Sequence, residues 1–263
     1  MAKENDKNSI EIKIIYGYSI KKTISEINEE RLNPKIWGWC YISLKSILDG
    51  IKNFSKELEK VGVRKILDLG CGTKPYKRLF NFAEKYVGYD IEKNREVDVV
   101  GFNWELPFKD DEFDSLISTQ VLEHTEKINE TIQEIRRVVK NNGLIFISVP
   151  FVFPEHEIPN DFFRFSQYGL RKIFCDFDVL EVKPSNGYVG TVLLVINNFI
   201  HYIPGSKIFA PLIFFLNNIM ASFFDWLVKV LVPITNSQRM RDIHKYYYLG
   251  FPANYTLICR VKK

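Results

Sequence analysis

Cysteine is scarce in this chain of 263 residues, and its four copies are scattered. Cys40, Cys71, Cys175 and Cys259 form no CxxC pair. That argues against a cysteine zinc site and against a disulfide framework, and it points to a reducing compartment. The opening "MAKENDKNSIEIK" is charged and lacks the apolar stretch of a secretory signal. No secretion is expected, and the cytoplasm is the expected location. Excess charge is also small: 36 Lys and Arg stand against 32 Asp and Glu, a net +4. No nucleic acid partner is expected, and no homeodomain, zinc-finger or aromatic RNA-binding signature is present. The uncharged run Ile208 to Phe224 is marginal against the about 20 residues that a membrane span needs, and it contains Pro211, Asn217 and Asn218. There is no internal repeat and no low-complexity tract. Phe, by contrast, is abundant, with 21 copies. Five of them fall in one charged, proline-braced stretch, "PFVFPEHEIPNDFFRFS".

Residues 1–34 are polar and are expected to be partly loose. From Ile36 to Lys60, apolar residues at helical spacing (Leu44, Ile47, Leu48, Ile51, Phe54, Leu58) predict a long amphipathic helix. Short apolar runs then alternate with helical patterns. Strands are expected at "RKILDLG", "KYVGYDI", "EVDVVG", "FDSLIST" and "LIFISVP". Helices are expected at "PYKRLFNFAE" and at "INETIQEIRRVVKNNG", the latter closed by Asn-Gly. A helix at "SQYGLRKIF", a strand at "FDVLEVKPS" and a closing strand at "NYTLICRVKK" complete the pattern. Such alternation implies an α/β fold: a Rossmann-like, mostly parallel sheet with helices on both faces. The expected organisation is an N-terminal helical extension (1–60), a nucleotide-binding core (61–186), an apolar helical insert (187–249) and a last core strand (250–263).

The first core strand runs into "DLGCGTKPY". Glycines at the carboxyl end of a first strand let the backbone approach a nucleotide. An NAD fingerprint would want a third glycine at position 75, where Pro75 stands. Proline removes an amide that would face a pyrophosphate, which favours a ligand without phosphates such as S-adenosylmethionine (SAM). Asp90 lies 20 residues after Gly70, the spacing of an acid that binds ribose hydroxyls. Taken alone, a turn or capping role fits it equally well.

Together "ILDLGCG", "VGYDI", "ELPFKDDEFDSLISTQVLEHTE" and "NNGLIFISVP" resemble the class I SAM-dependent methyltransferases, in the branch called methyltransferase type 11. The likeness covers roughly residues 61–186, with the last strand joining from the C-terminus. It implies a seven-stranded sheet whose last strand is antiparallel, and SAM as cofactor. Carried over, Asp68, Gly70 and Gly72 would sit against the methionine part, with Cys71 between the glycines. Asp90 would take the ribose, Tyr89 and Ile91 would flank the adenine, and Gln120 would line the methyl-donor pocket. An acidic residue common in the family before "LPF" is missing. Asn103 would accept from the adenine amine in its place, with Phe102 or Trp104 stacked on the ring.

Methyl transfer from a sulfonium needs alignment above all, and a general base adds about 10² to 10⁴ when the acceptor is a hydroxyl. Neither a metal nor a covalent intermediate is required, and no metal is expected. The candidate catalytic residues are His156, His124 and Asp161, with Glu155 and Arg164 as acceptor-binding residues. Histidine suits proton transfer near neutral pH because its unperturbed pKa is about 6.5. The competing reading is that His124 orders its loop, while His156, Asp161 and Arg164 bond to one another and shape a lid. "HEIPNDFFRFS" also resembles a loop in a subset of these enzymes, many tied to glycan or cell-surface biosynthesis. That points to a glycan or lipid-linked acceptor, with a quinone-like apolar lipid as the alternative. A SAM-binding sensor without turnover is the alternative outside enzymes.

In the insert, Asn218, Ser222, Asp225 and Lys229 share one helical face, with apolar residues around the rest. Residues 190–232 would meet a membrane interface, cover an apolar acceptor, form a homodimer or pack on the core. The basic, aromatic "NSQRMRDIHKYYY" would meet phosphates or form an ordinary solvated helix.

Overall fold

The computed structural model describes residues 9–13, 19–235 and 238–263. Seven strands form the central sheet: β3 (Lys65–Leu69), β4 (Lys85–Asp90), β5 (Val99–Val100), β6 (Phe113–Thr119), β7 (Val139–Pro150), β8 (Phe177–Pro184) and β9 (Asn254–Val261). Their order is β5-β4-β3-β6-β7-β9-β8. Neighbours are parallel except at β9, which is antiparallel to both β7 and β8. This is the Rossmann-like sheet expected from the sequence.

To name the helices, α1 is Ile24–Leu32, α2 is Tyr41–Lys60, α3 is Ile128–Val138 and α4 is Gln167–Ile173. On one face of the sheet, Ile47, Leu48, Ile51, Phe54 and Leu58 of α2 close over Ile66, Ile117 and Phe146. Gly50 lets α2 come close, because a Cβ there would lie 3.1 Å from the Phe146 ring. Ile132 and Ile135 of α3, with Leu170 of α4, share the other core with Leu67, Leu116 and Ile147. With helices on both faces, β3, β6 and β7 lie buried between them and read as continuous apolar runs.

Several boundaries differ from the sequence reading. The helix expected from Ile36 begins at Tyr41. Lys77–Phe80 is one 3₁₀ turn, and the third strand shrinks to Val99–Val100. Asn-Gly does not cap α3. Val139 is already extended (φ −91°, ψ 135°), and Asn142 bends the strand at φ 64°. The register steps there, from Phe113 opposite Val139 to Ser115 opposite Leu144. Within the polar start, β1 (Ser9–Lys13) pairs antiparallel with β2 (Ser19–Thr23). Helix α1 follows, entered through a capping box in which Thr23 and Glu26 bond each other's amides.

The insert holds α5 (Tyr188–His201), α6 (Ala210–Thr235) and α7 (Gln238–Leu249). Helices α5 and α6 pack together with asparagines buried among Leu193, Leu194, Phe214 and Ala221. Asn197 and Asn218 are wholly buried and joined by hydrogen bonds, with Asn217 donating to Asn197 and Asn218 donating to the carbonyls of Ile36 and Gly38. The outer face is apolar: Phe199 is 70% exposed, Ile208 94% and Leu212 64%, with Leu216, Phe223 and Trp226 alongside.

Candidate active site

The glycine loop leaves β3 at the carboxyl edge of the sheet and is tied to β4 by the Gly70 and Cys71 amides, both donating to the Tyr89 carbonyl. Gly70 (φ +71°) passes so close to Val121 that a Cβ would lie 2.2 Å from a Val121 methyl. Gly72 is also left-handed (φ +50°), but nothing lies within 4 Å of where its Cβ would be. Space is therefore kept open at Gly72 and filled at Gly70. Asp90 accepts from the Gly72 amide at 2.7 Å and from the Glu92 amide at 3.0 Å. Each oxygen keeps a lone pair for a ribose hydroxyl. Asp68 is buried beneath the loop, and that burial pushes its carboxyl up to about 7, against a hydrogen bond from the Tyr86 hydroxyl. Burial also raises the Cys71 thiol strongly, which disqualifies it as a nucleophile.

On the adenine side, the Asn103 amide nitrogen reaches Thr125 at 3.4 Å, while its oxygen is buried without a partner. An orphaned acceptor is what an adenine amine would satisfy. Trp104 stacks on Phe102 at 4.6 Å and takes the Lys127 ammonium at 5.3 Å. Gln120 sits in the left-handed region (φ 57°), its side chain donating to Ser148 at 3.3 Å. The loop residues and this orphaned acceptor fit SAM.

The turn after Gln120 carries Leu122–His124, and the 151–166 loop folds over it, with the Phe162 and Phe163 amides donating to the Glu123 carbonyl. This juxtaposition sets His124 Nε2 3.1 Å from His156 Nε2, the rings nearly perpendicular. Glu123 lies wholly buried beside them, and among the described residues neither oxygen has a hydrogen-bond partner beyond Glu123 itself. Burial pushes its pKa far up. Burial and the neighbouring His124 lower that of His156.

Residues 67–147 match the methyltransferase domain family. Over these residues the chain carries a methyltransferase domain. The open space at Gly72, Asp90 and the orphaned Asn103 oxygen fit S-adenosylmethionine as its cofactor. Two relatives come from Methanocaldococcus jannaschii. The uncharacterized protein MJ1123 is 36% identical over 91 residues, covering 32% of this chain and 43% of that protein. The uncharacterized protein MJ0638 is 28% identical over 176 residues, covering 64% and 72%. The chain thus spans less than half the length of MJ1123. Among solved structures, a putative sarcosine dimethylglycine methyltransferase from Galdieria sulphuraria shares the fold with a TM-score of 0.51 and 14% identity, over 83% of this chain and 87% of that one.

Not every expected residue of the methyltransferase site is free to act. Tyr89 is wholly buried, its hydroxyl donating to the Phe102 carbonyl at 2.9 Å. It props the adenine-side segment from beneath, while Ile91 lies exposed at the rim. Asp161 and Arg164 do not face an acceptor. Arg164 spends its donors on Asp161 (2.6 and 2.7 Å) and on the carbonyls of Phe153, Pro154 and Phe163. Asp161 also accepts from the His156 amide at 2.9 Å. Burial opposes its charge, but the Arg164 bonds outweigh that and hold its pKa low, which makes it a poor base. The pair braces the loop that presents His156. Glu155 is exposed. Sequence reasoning missed Glu123 and Asn28, the latter donating to the Thr73 carbonyl at 3.2 Å. It also missed Asn94, which donates to the Gly72 carbonyl at 2.9 Å.

Proposed function

We propose that this methyltransferase moves the SAM methyl group to a hydroxyl of a lipid-linked glycan or glycan precursor, working from the cytoplasmic surface of a membrane. The observation that carries this reading is the exposed apolar face of the α5/α6 hairpin. A helix pair that buries asparagines and exposes Phe, Ile, Leu and Trp suits a lipid surface better than water. Ala210–Leu231 has the length and composition to cross a bilayer. Asp225, whose carboxylate accepts from the Gly187 amide and the Tyr247 hydroxyl, favours a helix lying in the interface against the domain.

The hairpin reaches the His pair through a row of rings. His201 at the end of α5 stacks on Trp39 at 5.1 Å, Trp39 lies 6.3 Å from Phe153, and Phe153 meets His156 edge-on at 5.4 Å. An acceptor held by its lipid would thus arrive at His156 along an aromatic wall. A groove of about 820 Å³ between α2, α6, α7 and the end of β8 is lined by Lys183, Lys229 and Lys245, with Asp225 alongside and with Lys45 paired to Asp49. Its lysines suit the phosphates of a headgroup or of a diphosphate link. The Trp39–Phe153 wall also favours a second reading, a quinone-like apolar lipid as the acceptor.

The test is radiolabelled methyl transfer from SAM to lipid-linked glycans, to quinone precursors and to the corresponding soluble sugars, with vesicle flotation in parallel. Flotation on anionic vesicles, lost in a Leu212→Ser/Leu216→Ser/Phe223→Ser variant, is expected, with label in the lipid-linked glycans. Label in quinone precursors alone would select the second reading. SAM binding with no labelled product would favour a sensor, and a protein that dimerises but never floats would assign the hairpin to self-association.

A further inference from the structure

We propose that His124, His156 and Glu123 form a binding site for a divalent first-row transition metal ion beside the methyl-donor pocket. The tautomers carry the argument. His124 Nδ1 faces the Asn160 carbonyl at 2.7 Å, and His156 Nδ1 faces the Pro154 carbonyl at 3.2 Å and Asp161 Oδ2 at 3.3 Å. These partners only accept, so each Nδ1 carries the proton. Two neutral rings held this way aim bare Nε2 lone pairs at each other across 3.1 Å. Lone pairs so placed repel unless a cation lies between them.

A metal ion fits the spacing. Two imidazole nitrogens at about 2.0–2.1 Å from one ion, at a tetrahedral angle, sit roughly 3.3 Å apart. The third ligand is in place as well. Glu123 Oε1 lies 3.9 Å from His124 Nε2, and all three ligand groups have an atom within 4.8 Å of the others. A buried carboxylate with no partner is costly, and a bound cation removes that cost. A small rotation of the carboxylate completes a two-histidine, one-carboxylate face that leaves positions open for an outside ligand.

The surroundings match those of metal-bound histidines. Each ring directs its Nδ1–H to a carbonyl or carboxylate, which fixes its orientation and leaves Nε2 for a metal. Asp161 is in turn held by Arg164, so the brace described above acts as a positioning device for His156. Phe153 lies against His156 and helps to keep that side of the site dry. The ligands come from two loops that meet only in the folded chain.

The role of the ion rests on the hydroxyl-acceptor reading above. An acceptor O–H placed at an open position becomes more acidic. It releases its proton to Glu157, whose Oε2 lies 3.8 Å from His124 Nε2. The oxygen then bonds the methyl carbon, and the methyl–sulfur bond breaks with its electron pair staying on sulfur. The products are the methyl ether and S-adenosylhomocysteine.

Metal binding is measured without turnover. The full chain, stripped by chelator, is dialysed against Zn²⁺ or Co²⁺, and bound metal is counted by mass spectrometry while Co²⁺ is followed by its visible absorption. About one ion per chain is expected, with the absorption of a nitrogen- and oxygen-bound Co²⁺. Affinity should fall at least about tenfold in His124→Ala, His156→Ala and the isosteric Glu123→Gln. His244→Ala should bind as the wild type does, and circular dichroism checks that each variant is folded. No bound metal in the wild type, or binding unchanged in the folded His156→Ala and Glu123→Gln variants, would overturn the site. Metal bound as expected but no methyl ether formed would instead count against the hydroxyl-acceptor reading.

Discussion

Asn28 and Thr73 bond each other reciprocally. The Asn28 amide donates to the Thr73 carbonyl at 3.2 Å, and the Thr73 hydroxyl donates to Asn28 Oδ1 at 2.5 Å. The N-terminal helix thereby clasps the loop that carries Gly72. Asn28→Ala removes both bonds, each worth about 1 kcal/mol. SAM affinity by isothermal titration should fall roughly fivefold, while the melting temperature stays within a few degrees. An unchanged affinity would show that the loop holds its shape without the clasp.

The two glycines should respond differently to alanine. At Gly70 the added methyl strikes Val121, so Gly70→Ala should cost about 1–3 kcal/mol of stability in urea unfolding. At Gly72 the methyl would meet no atom of the described residues within 4 Å. Gly72→Ala should cost only the left-handed backbone, about 1 kcal/mol, yet weaken SAM binding at least about tenfold. Equal effects of both variants on both measurements would contradict this division.

Asp68 makes stability depend on pH. Its folded pKa, about 7, lies above the unfolded value of about 3.9. The folded state therefore holds the proton more tightly. The resulting contribution is complete below about pH 4 and is lost as pH rises through about 7. Urea midpoints measured across that window in the SAM-free protein should fall with rising pH. Asp68→Asn should flatten that part of the profile.

Arg164→Ala would leave Asp161, only 3% exposed in its side chain, as an uncompensated buried charge. A loss of roughly 3 kcal/mol is expected. Arg164→Lys should recover little, because a point charge cannot replace the planar fork that spans both Asp161 oxygens. SAM affinity should survive in both variants. Its collapse would mean that the brace also shapes the cofactor loop.

The sheet and the cofactor loop were legible in the sequence because doubly covered strands are plain apolar runs and glycines mark close approach. What stayed hidden depended on burial. Asp161 and Arg164 look the same in sequence whether they meet solvent or lock a loop. Glu123 reads as one more carboxylate until its turn is covered by Phe162 and Phe163. The metal ligands follow no spacing rule, because 32 residues separate the two histidines. Helical spacing put Asn218, Ser222, Asp225 and Lys229 on one stripe but could not tell which side of that stripe faces the domain. The β1–β2 hairpin escaped because its residues are mostly polar. Asn-Gly misled because the same pair that stops a helix also bends a strand.

Strand β9 lies between β7 and β8, yet it follows the apolar hairpin in the chain. During synthesis the hairpin leaves the ribosome while the sheet still has a gap between β7 and β8. β3 to β7 can already pair around the glycine loop at that stage, but β8 has no neighbour until β9 arrives. The cofactor half of the sheet is thus able to form first, while the apolar helices are made before the last strand closes the domain.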